Sequence, residues 1–394
     1  MTRKKRKGGN KRRKSPKIQT LILFPAFLVC ALLLSLYVLF SKSTIGLPEP
    51  IYEEVYSSAN YLNEAIKNVD YAIYESLYQS GIKERNIIFL DVQPRHENGH
   101  FWDFTRLLIR CPDILSAQNL EKCISYDLIR SGARIRLRWE KTSEGKISCH
   151  VFAEGFYTHR LDLEFHSQSP KIEDTRPKLA VIIDDFGYDP GIVSLFAQLD
   201  LPLSFSVLPS APFTGQIVRQ ANKEKCDLIL HLPMEPKNHP RVNPGPGALF
   251  LSMEERKIRQ VLDQDLREVW GAIGVNNHMG SSFTENPAKM AIVLRELKKR
   301  RLFFVDSRTS ADSVGFKLAK KMGLPTASRS VFLDNDLSNK AIKMQFKRLL
   351  SIARNTGAAI GIGHPRKETL KILEEYWPKI KTEFQVVPVS ELVG

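Results

Sequence analysis

The run Val181-Ile182-Ile183 stops abruptly on two adjacent carboxylates, Asp184 and Asp185, followed by Phe186-Gly187. The same grammar recurs downstream. Leu228-Ile229-Leu230 ends at His231, and Val275 leads through Asn276 and Asn277 to His278. Phe303-Phe304-Val305 ends at Asp306, and Gly361-Ile362-Gly363 ends at His364. Short apolar runs between helical segments read as buried parallel strands. In α/β folds the carboxyl ends of such strands are where chemistry collects. Acids and imidazoles at so many strand ends point to one converging polar site, of the kind that holds a metal.

Neighbours in a regular strand face opposite ways, so Asp184 and Asp185 can share a site only if the chain leaves β geometry there. Gly187 and Pro190 favour such a turn. One carboxylate could then hold a cation while the other takes a proton from water. A helix cap is the competing role, but Asp189 fits the cap of a helix starting near Pro190 better. One carboxylate and two imidazoles from separate strands, His231 and His278, make a catalytic metal set with a position left open. Zinc suits these mixed N/O ligands best, with manganese, iron and cobalt compatible. A bound cation lowers the pKa of water from 15.7 to about 7. His364, with a pKa near ambient, suits protonation of a leaving group, its alternative being to cap the helix after Pro365. Asp306 reads as a partner that orients a histidine, and Arg308 as a clamp on the catalytic aspartate or a substrate oxygen. Asp334-Asn335-Asp336 reads as a loop, and His96 and His100 as structural residues of a turn.

These residues need a scaffold. Strands are predicted at 179–183, 203–207, 228–231, 272–275, 302–305, 328–333, 358–362 and 385–389. Helices are predicted between them at 253–269, 287–299, 313–321, 341–354 and 367–380. Eight strands in about 220 residues suggest an α/β fold, a (β/α) barrel over 178–394. An open doubly wound sheet is the alternative, although no Gly-x-Gly-x-x-Gly loop follows the first strand. Residues 50–170 read as a small α+β domain. Its apolar stripe includes Tyr56, Leu62, Val69, Ile73 and Leu77, and is followed by strands at 87–92, 101–109, 133–139 and 147–154 and a helix at 117–129. A Pro-containing linker spans 168–177.

The net charge of +15 resembles a nucleic-acid signal until it is located, because ten of the positive side chains lie in the first 17 residues. That basic tail (1–20) abuts Leu21–Phe40, which carries no charge. Roughly 20 apolar residues span a bilayer as a helix, and the basic flank places the N-terminus in the cytoplasm. Residues 21–40 are expected to be an uncleaved, single-pass signal anchor in the inner membrane. The rest would then be periplasmic or extracellular, with no nucleic-acid partner. Such a compartment permits one disulfide among Cys111, Cys123 and Cys149.

The segment from about Lys178 to Leu392 resembles the divergent polysaccharide deacetylases, relatives of the NodB-type carbohydrate esterases. The resemblance rests on Ile183-Asp184-Asp185-Phe186-Gly187, His231-Leu232-Pro233-Met234-Glu235-Pro236 and Asn277-His278-Met279-Gly280-Ser281. Phe304-Val305-Asp306-Ser307-Arg308-Thr309 and Gly363-His364-Pro365 complete it. It implies Asp184 as general base, Asp185, His231 and His278 as metal ligands, and His364 as acid. Better-known relatives carry two ligating histidines four residues apart. Here that fourth position is Glu235, a candidate extra ligand. The expectation is a membrane-anchored, zinc-dependent hydrolase that deacetylates an envelope polysaccharide or a peptidoglycan-like glycan. A non-catalytic envelope scaffold and a metal-dependent phosphoesterase are the alternatives.

Overall fold

The structure, a computed structural model, describes residues 60–142, 146–165, 176–199, 201–224 and 226–394. The basic tail, the span Leu21–Phe40 and most of the linker lie outside the described residues. Among those described, no helix is long and apolar enough to cross a membrane.

The apolar stripe of the first helical segment forms α1 (Asn60–Gln79), which buries Leu62, Val69, Ile73 and Leu77. Strands β1 (Ile87–Glu97) and β2 (His100–Cys111) form a hairpin. Its turn puts Asn98 and Gly99 at φ 50° and 77°, the left-handed region that these two residue types favour. Next comes α2 (Ile114–Ile129), whose N-terminus Asp113 caps by accepting from Ser116 N. Strands β3 (Ile135–Thr142), β4 (Lys146–Ala153) and β5 (Phe156–Phe165) follow. The last of these was not anticipated. It inserts beside β2, running parallel to it, and gives the order β1-β2-β5-β4-β3. The permitted disulfide is not formed: Cys111, Cys123 and Cys149 are free thiols, and Cys111 and Cys149 are buried in this domain's core.

The second domain alternates strands and helices. Its elements are β6 (Lys178–Phe186), α3 (Pro190–Ala197), β7 (Ser204–Val207), α4 (Thr214–Lys223) and β8 (Asp227–Met234). They continue with α5 (Glu255–Glu268), β9 (Gly274–Met279), α6 (Pro287–Lys299), β10 (Phe303–Asp306) and α7 (Gly315–Lys321). Strands β11 (Thr326–Ser328) and β12 (Val331–Phe332), α8 (Asn339–Thr356), β13 (Ala358–Gly363), α9 (Lys367–Glu383) and β14 (Gln385–Val386) complete the chain. The expected barrel takes the form of a curled parallel sheet, ordered β11-β10-β9-β8-β7-β6-β13-β12. Its two edge strands are successive pieces of one irregular segment. Within that segment Arg329 N donates to Asp306 O at the end of β10, and Ser330 N donates to Ile360 O of β13. The expected eighth strand, 385–389, is cut to two residues that pair with the foot of β6. Pro388 has no N–H to continue a ladder, and the chain turns so that Val389 packs among Ala180, Ile182 and Ile360 inside the curl.

Alternation along β6 decides what faces where. Leu179, Val181 and Ile183 pack in the larger core with the helices, while Ala180 and Ile182 point into the curl. Period two therefore sends Asp184 inward and would send Asp185 outward.

The two domains are joined by buried polar contacts. Edge strand β1 would expose unpaired backbone groups, but helix α8 covers it. Ser351 Oγ accepts from Phe89 N at 3.2 Å and donates to Ile87 O at 2.8 Å. Beside it, Asp70 of α1 lies 3.0 Å from Arg348 of α8 and 3.2 Å from His159 of β5. Burial alone would raise the Asp70 carboxyl, but Arg348 and His159 more than reverse this and hold it below its ordinary value. The stabilisation from this depressed group is present above the ordinary carboxyl pKa and lost as pH falls through the lower folded value. Removing one partner strands a buried charge, so Asp70→Ala is expected to cost about 3–5 kcal/mol of unfolding free energy. Urea denaturation near neutral pH checks this; a loss below about 1 kcal/mol would mean that the ion pair does not hold the junction.

Candidate functional site

The chain leaves β geometry where the two carboxylates require it. Asp185 has φ 58°, and the register with β7 shifts between Ile183 and Phe186. This left-handed residue turns the second carboxylate back to the side of the first. Gly187 has a different task from making the turn, since a Cβ there would stand 2.6 Å from Ala211 Cβ. Asp189 caps α3, accepting from Gly191 N and Ile192 N, which leaves the Asp184–Asp185 pair free.

Asp185, His231 and His278, all buried, converge. Asp185 Oδ1 lies 2.9 Å from His231 Nε2 and 3.0 Å from His278 Nδ1, and the two nitrogens are 3.2 Å apart. Both Asp185 oxygens are nonetheless without a hydrogen-bond donor in the required direction. Ligands about 2.0–2.1 Å from a tetrahedral centre stand roughly 3.3 Å apart, so a small expansion of this triangle accommodates zinc. Burial would raise the Asp185 carboxyl, yet His278 and His231 hold it far below its usual range. For His231 burial opposes protonation, but Asp184 and Asp185 prevail and raise its pKa. The pocket thus demands positive charge, supplied by protons or by a cation.

Asn276 orients this cluster, and it was not singled out from the sequence. A carboxylate can only accept, so Asn276 Nδ2 faces Asp184 Oδ1 at 2.8 Å. The amide oxygen must then face the other way, accepting from His231 Nδ1 at 2.9 Å and Ser206 Oγ at 2.7 Å. With Nδ1 donating, His231 Nε2 presents a lone pair to the site. Asp184 itself has a raised pKa, through burial first and the neighbouring Asp185 charge second. A raised pKa makes it a better proton acceptor than an ordinary carboxylate.

His364 is also at the site, with Nε2 3.9 Å from Asp185 Oδ2. It is not the cap of α9; Arg366 occupies that position. Its Nδ1 lies 2.8 Å from Asp334 Oδ1. The other Asp334 oxygen accepts from His364 N and Thr369 Oγ1. Asp334, read from the sequence as loop, is therefore the carboxylate that orients a histidine.

Three expectations need correction. Asp306 orients no histidine. Its oxygens accept from Arg308 N, Ser313 Oγ and Phe316 N, because the chain after β10 folds back over the carboxylate and offers its own donors. Glu235 takes no part in the metal cluster. One of its carboxylate oxygens accepts from Leu251 N, which holds the side chain in the loop after β8. Arg308 does not clamp Asp184: among the described residues its guanidinium has no ion-pair partner. It lines the same cleft of about 860 Å³ as Asp184, His231, His278 and His364. Its backbone is held at φ 51° by Arg329, which donates to Ser307 O and Arg308 O.

Residues 181–393 match the family model described as divergent polysaccharide deacetylase, and the chain belongs to that family. An uncharacterized protein of Haemophilus influenzae is 33% identical over 215 residues, 55% of this chain and 76% of its own length. The uncharacterized Escherichia coli protein YibQ is 31% identical over 217 residues, 55% of this chain and 67% of its own. The crystal structure of an uncharacterized Agrobacterium tumefaciens protein superposes with a TM-score of 0.53 at 25% identity, covering 57% of this chain and 92% of that one. The domain formed by α1 to β5 lies outside the matched residues.

Outer-shell partners of metal-ligating histidines typically contribute about 10–100-fold to affinity. Asn276→Ala is accordingly expected to weaken zinc binding by about that factor. Competition against a chelating indicator measures it, and unchanged affinity would show that Asn276 does not orient His231.

Proposed function

We propose that this divergent polysaccharide deacetylase is a metal-dependent hydrolase that removes N-acetyl or O-acetyl groups from an envelope polysaccharide. The observation that carries the reading is the buried Asp185–His231–His278 triangle, whose carboxylate oxygens lack donors. Asp185 Oδ1, His231 Nε2 and His278 Nδ1 would hold the cation, and one oxygen with two nitrogen donors suits zinc. When bound, it polarises the acyl carbonyl and makes water acidic enough to lose a proton near neutral pH.

The remaining chemistry belongs to the side chains. Asp184, whose burial raises its proton affinity, takes the proton from the attacking water. The water oxygen bonds to the acyl carbon, the C–N or C–O bond breaks, and the departing group needs a proton. His364 is placed to give it, with Nε2 toward the site and Nδ1 held by Asp334. The acyl product leaves as the free acid. Both proton-transfer groups are buried, so bulk water does not compete for these steps. The uncharged run Leu21–Phe40 behind a basic tail supports an anchor in the inner membrane, with the catalytic domain in the periplasm or outside the cell.

Asp184→Asn keeps the size of the base and removes its basicity. It is expected to lower deacetylation by at least about 100-fold while the protein still binds one zinc per chain. Acetate release from acetylated oligosaccharides, measured together with metal content, checks both halves. Turnover at the wild-type rate would remove Asp184 as base; a wild-type protein that binds metal and glycan but releases no acetate would make this chain a scaffold.

A further inference from the structure

The sheet of the domain outside the family match has two unlike faces. On one, Phe89, Leu107, Ile109, Cys149 and Leu161 pack in the core with α1 and α2. At the hairpin end this face meets the loops over the cleft. His96 is 2.9 Å from Asp312, and the Lys237 ammonium lies 5.0 Å from the Phe101 ring centroid. Alternation sends the intervening side chains to the other face. That face is open: the side chains of Arg106 and Arg138 on it are 42% and 61% exposed.

An aromatic strip crosses the middle of the open face. A bulge in β5 sets it, because the register with β4 shifts between Val151 and Phe152 and turns Tyr157 to the side of Arg160. Tyr157 then stands between Phe104 of β2 and Phe152 of β4, at centroid distances of 4.9 and 5.0 Å. Each flanking ring carries a guanidinium. Arg95 of β1 leans over Phe104 at 3.6 Å, and Arg136 of β3 leans over Phe152 at 4.4 Å. Stacking fixes the plane of a guanidinium and leaves its edge donors open.

The charges around the strip are of two kinds. Asp162 is held by Arg106 and Arg160, Glu140 by Arg138, and Glu164 by Lys146. Asp91, opposite Arg106, accepts from Gln93. Arg95 and Arg136 form no ion pair among the described residues. Two oriented guanidiniums without counter-charge therefore stand on one flat face, two strand spacings or ~10 Å apart. One small anion cannot serve both, whereas successive charges on an extended polymer can.

The polyanions that a sheet face can meet make different demands. Single-stranded nucleic acid stacks its bases on open ring faces, and here guanidiniums lie over the flanking rings. An anionic bilayer takes apolar side chains into its interface, and no exposed large hydrophobic among the described residues lies on this face. Phosphate groups are gathered by clusters of arginines, but Arg95 and Arg136 stand singly. A lone guanidinium fork matches a carboxylate through two parallel N–H···O bonds.

We infer that the open face of this sheet binds a carboxylate-bearing polysaccharide, with Arg95 and Arg136 each pairing with a carboxylate on the same glycan chain. The small domain is then a glycan-binding module that holds acidic polymer beside the catalytic domain. The choice of a glycan to carry the carboxylates rests on the chain's membership of a polysaccharide family. The binding itself does not depend on hydrolysis in the cleft.

Calorimetric titration of the full chain with five probes tests this. The probes are an oligogalacturonate, its methyl-esterified neutral counterpart, a poly-L-glutamate of similar length, an oligothymidylate and a short-chain phosphatidylglycerol. The oligogalacturonate is expected to bind about tenfold or more tighter than its ester and tighter than the other three. Arg95→Gln and Arg136→Gln should each bring the acid-to-ester ratio toward one with an unchanged urea midpoint, and Arg95→Lys should retain part of it. Arg110→Gln, on the same face but beside Glu164, should leave the ratio unchanged. Equal binding of acid and ester, or a preference that survives both arginine variants, would overturn the inference. So would an equal loss in Arg110→Gln, or tighter binding of the peptide, the nucleic acid or the lipid. Acetate release enters none of these outcomes, so a chain that binds the acid through Arg95 and Arg136 without releasing acetate would sink the hydrolase reading alone.

Discussion

The site depends on a single left-handed residue. At φ 58° Asp185 turns its carboxylate into the cavity that β-sheet alternation reserves for Asp184, and brings it against two imidazoles. An arrangement of buried acceptors without donors is unfavourable by itself. Its cost is offset when a cation or protons join the acceptors, and this is why the cluster is both strained and chemically useful. Left-handed backbone at a non-glycine residue persists where surrounding structure over-determines it. Here the close approach of Gly187 to Ala211 and the capping of α3 by Asp189 fix the chain directly after the turn.

Second in order of dependence is the polar layer inside the curl. Asn276 sits in the middle of β9 with every amide atom engaged, linking Ser206 of β7, Asp184 of β6 and His231 of β8. Four adjacent strands thereby orient one another's side chains, and a polar group buried in a sheet interior gains its partners only because the sheet curls. On the other side of the site Asp334 plays the same part for His364. One cation ligand, His231, and the base and the acid are each held by a partner from a different strand or loop.

Much of this was legible in the sequence because strand ends are marked by abrupt changes from apolar to ionisable residues. The break needed at Asp184–Asp185 followed from period two alone, and the structure supplies it at Asp185, two residues before the glycine that suggested it. Asp306 and Asp334 show the limit of that grammar. Both close an apolar run, Phe303-Phe304-Val305 and Val331-Phe332-Leu333, but the loop after Asp306 returns to occupy its oxygens while Asp334 meets a histidine from the neighbouring strand. Which occurs depends on loop paths that no local pattern encodes. Asn276 carried a readable signal, a polar residue directly after Gly274-Val275 in a buried strand. Its role required knowing that β7, β8 and β9 are neighbours. The strand β5 and the fastening of the small domain over the cleft were invisible for the same reason, since both arise from contacts between residues far apart in the chain.

The central claim is that Asp185, His231 and His278 share one cation. X-ray absorption at the zinc edge on the zinc-loaded full chain tests it most directly. The account predicts a first shell with two imidazole nitrogens and at least one carboxylate oxygen at about 2.0–2.2 Å, and loss of that signal in Asp185→Ala. A spectrum without imidazole scattering, or one unchanged in Asp185→Ala, would contradict it.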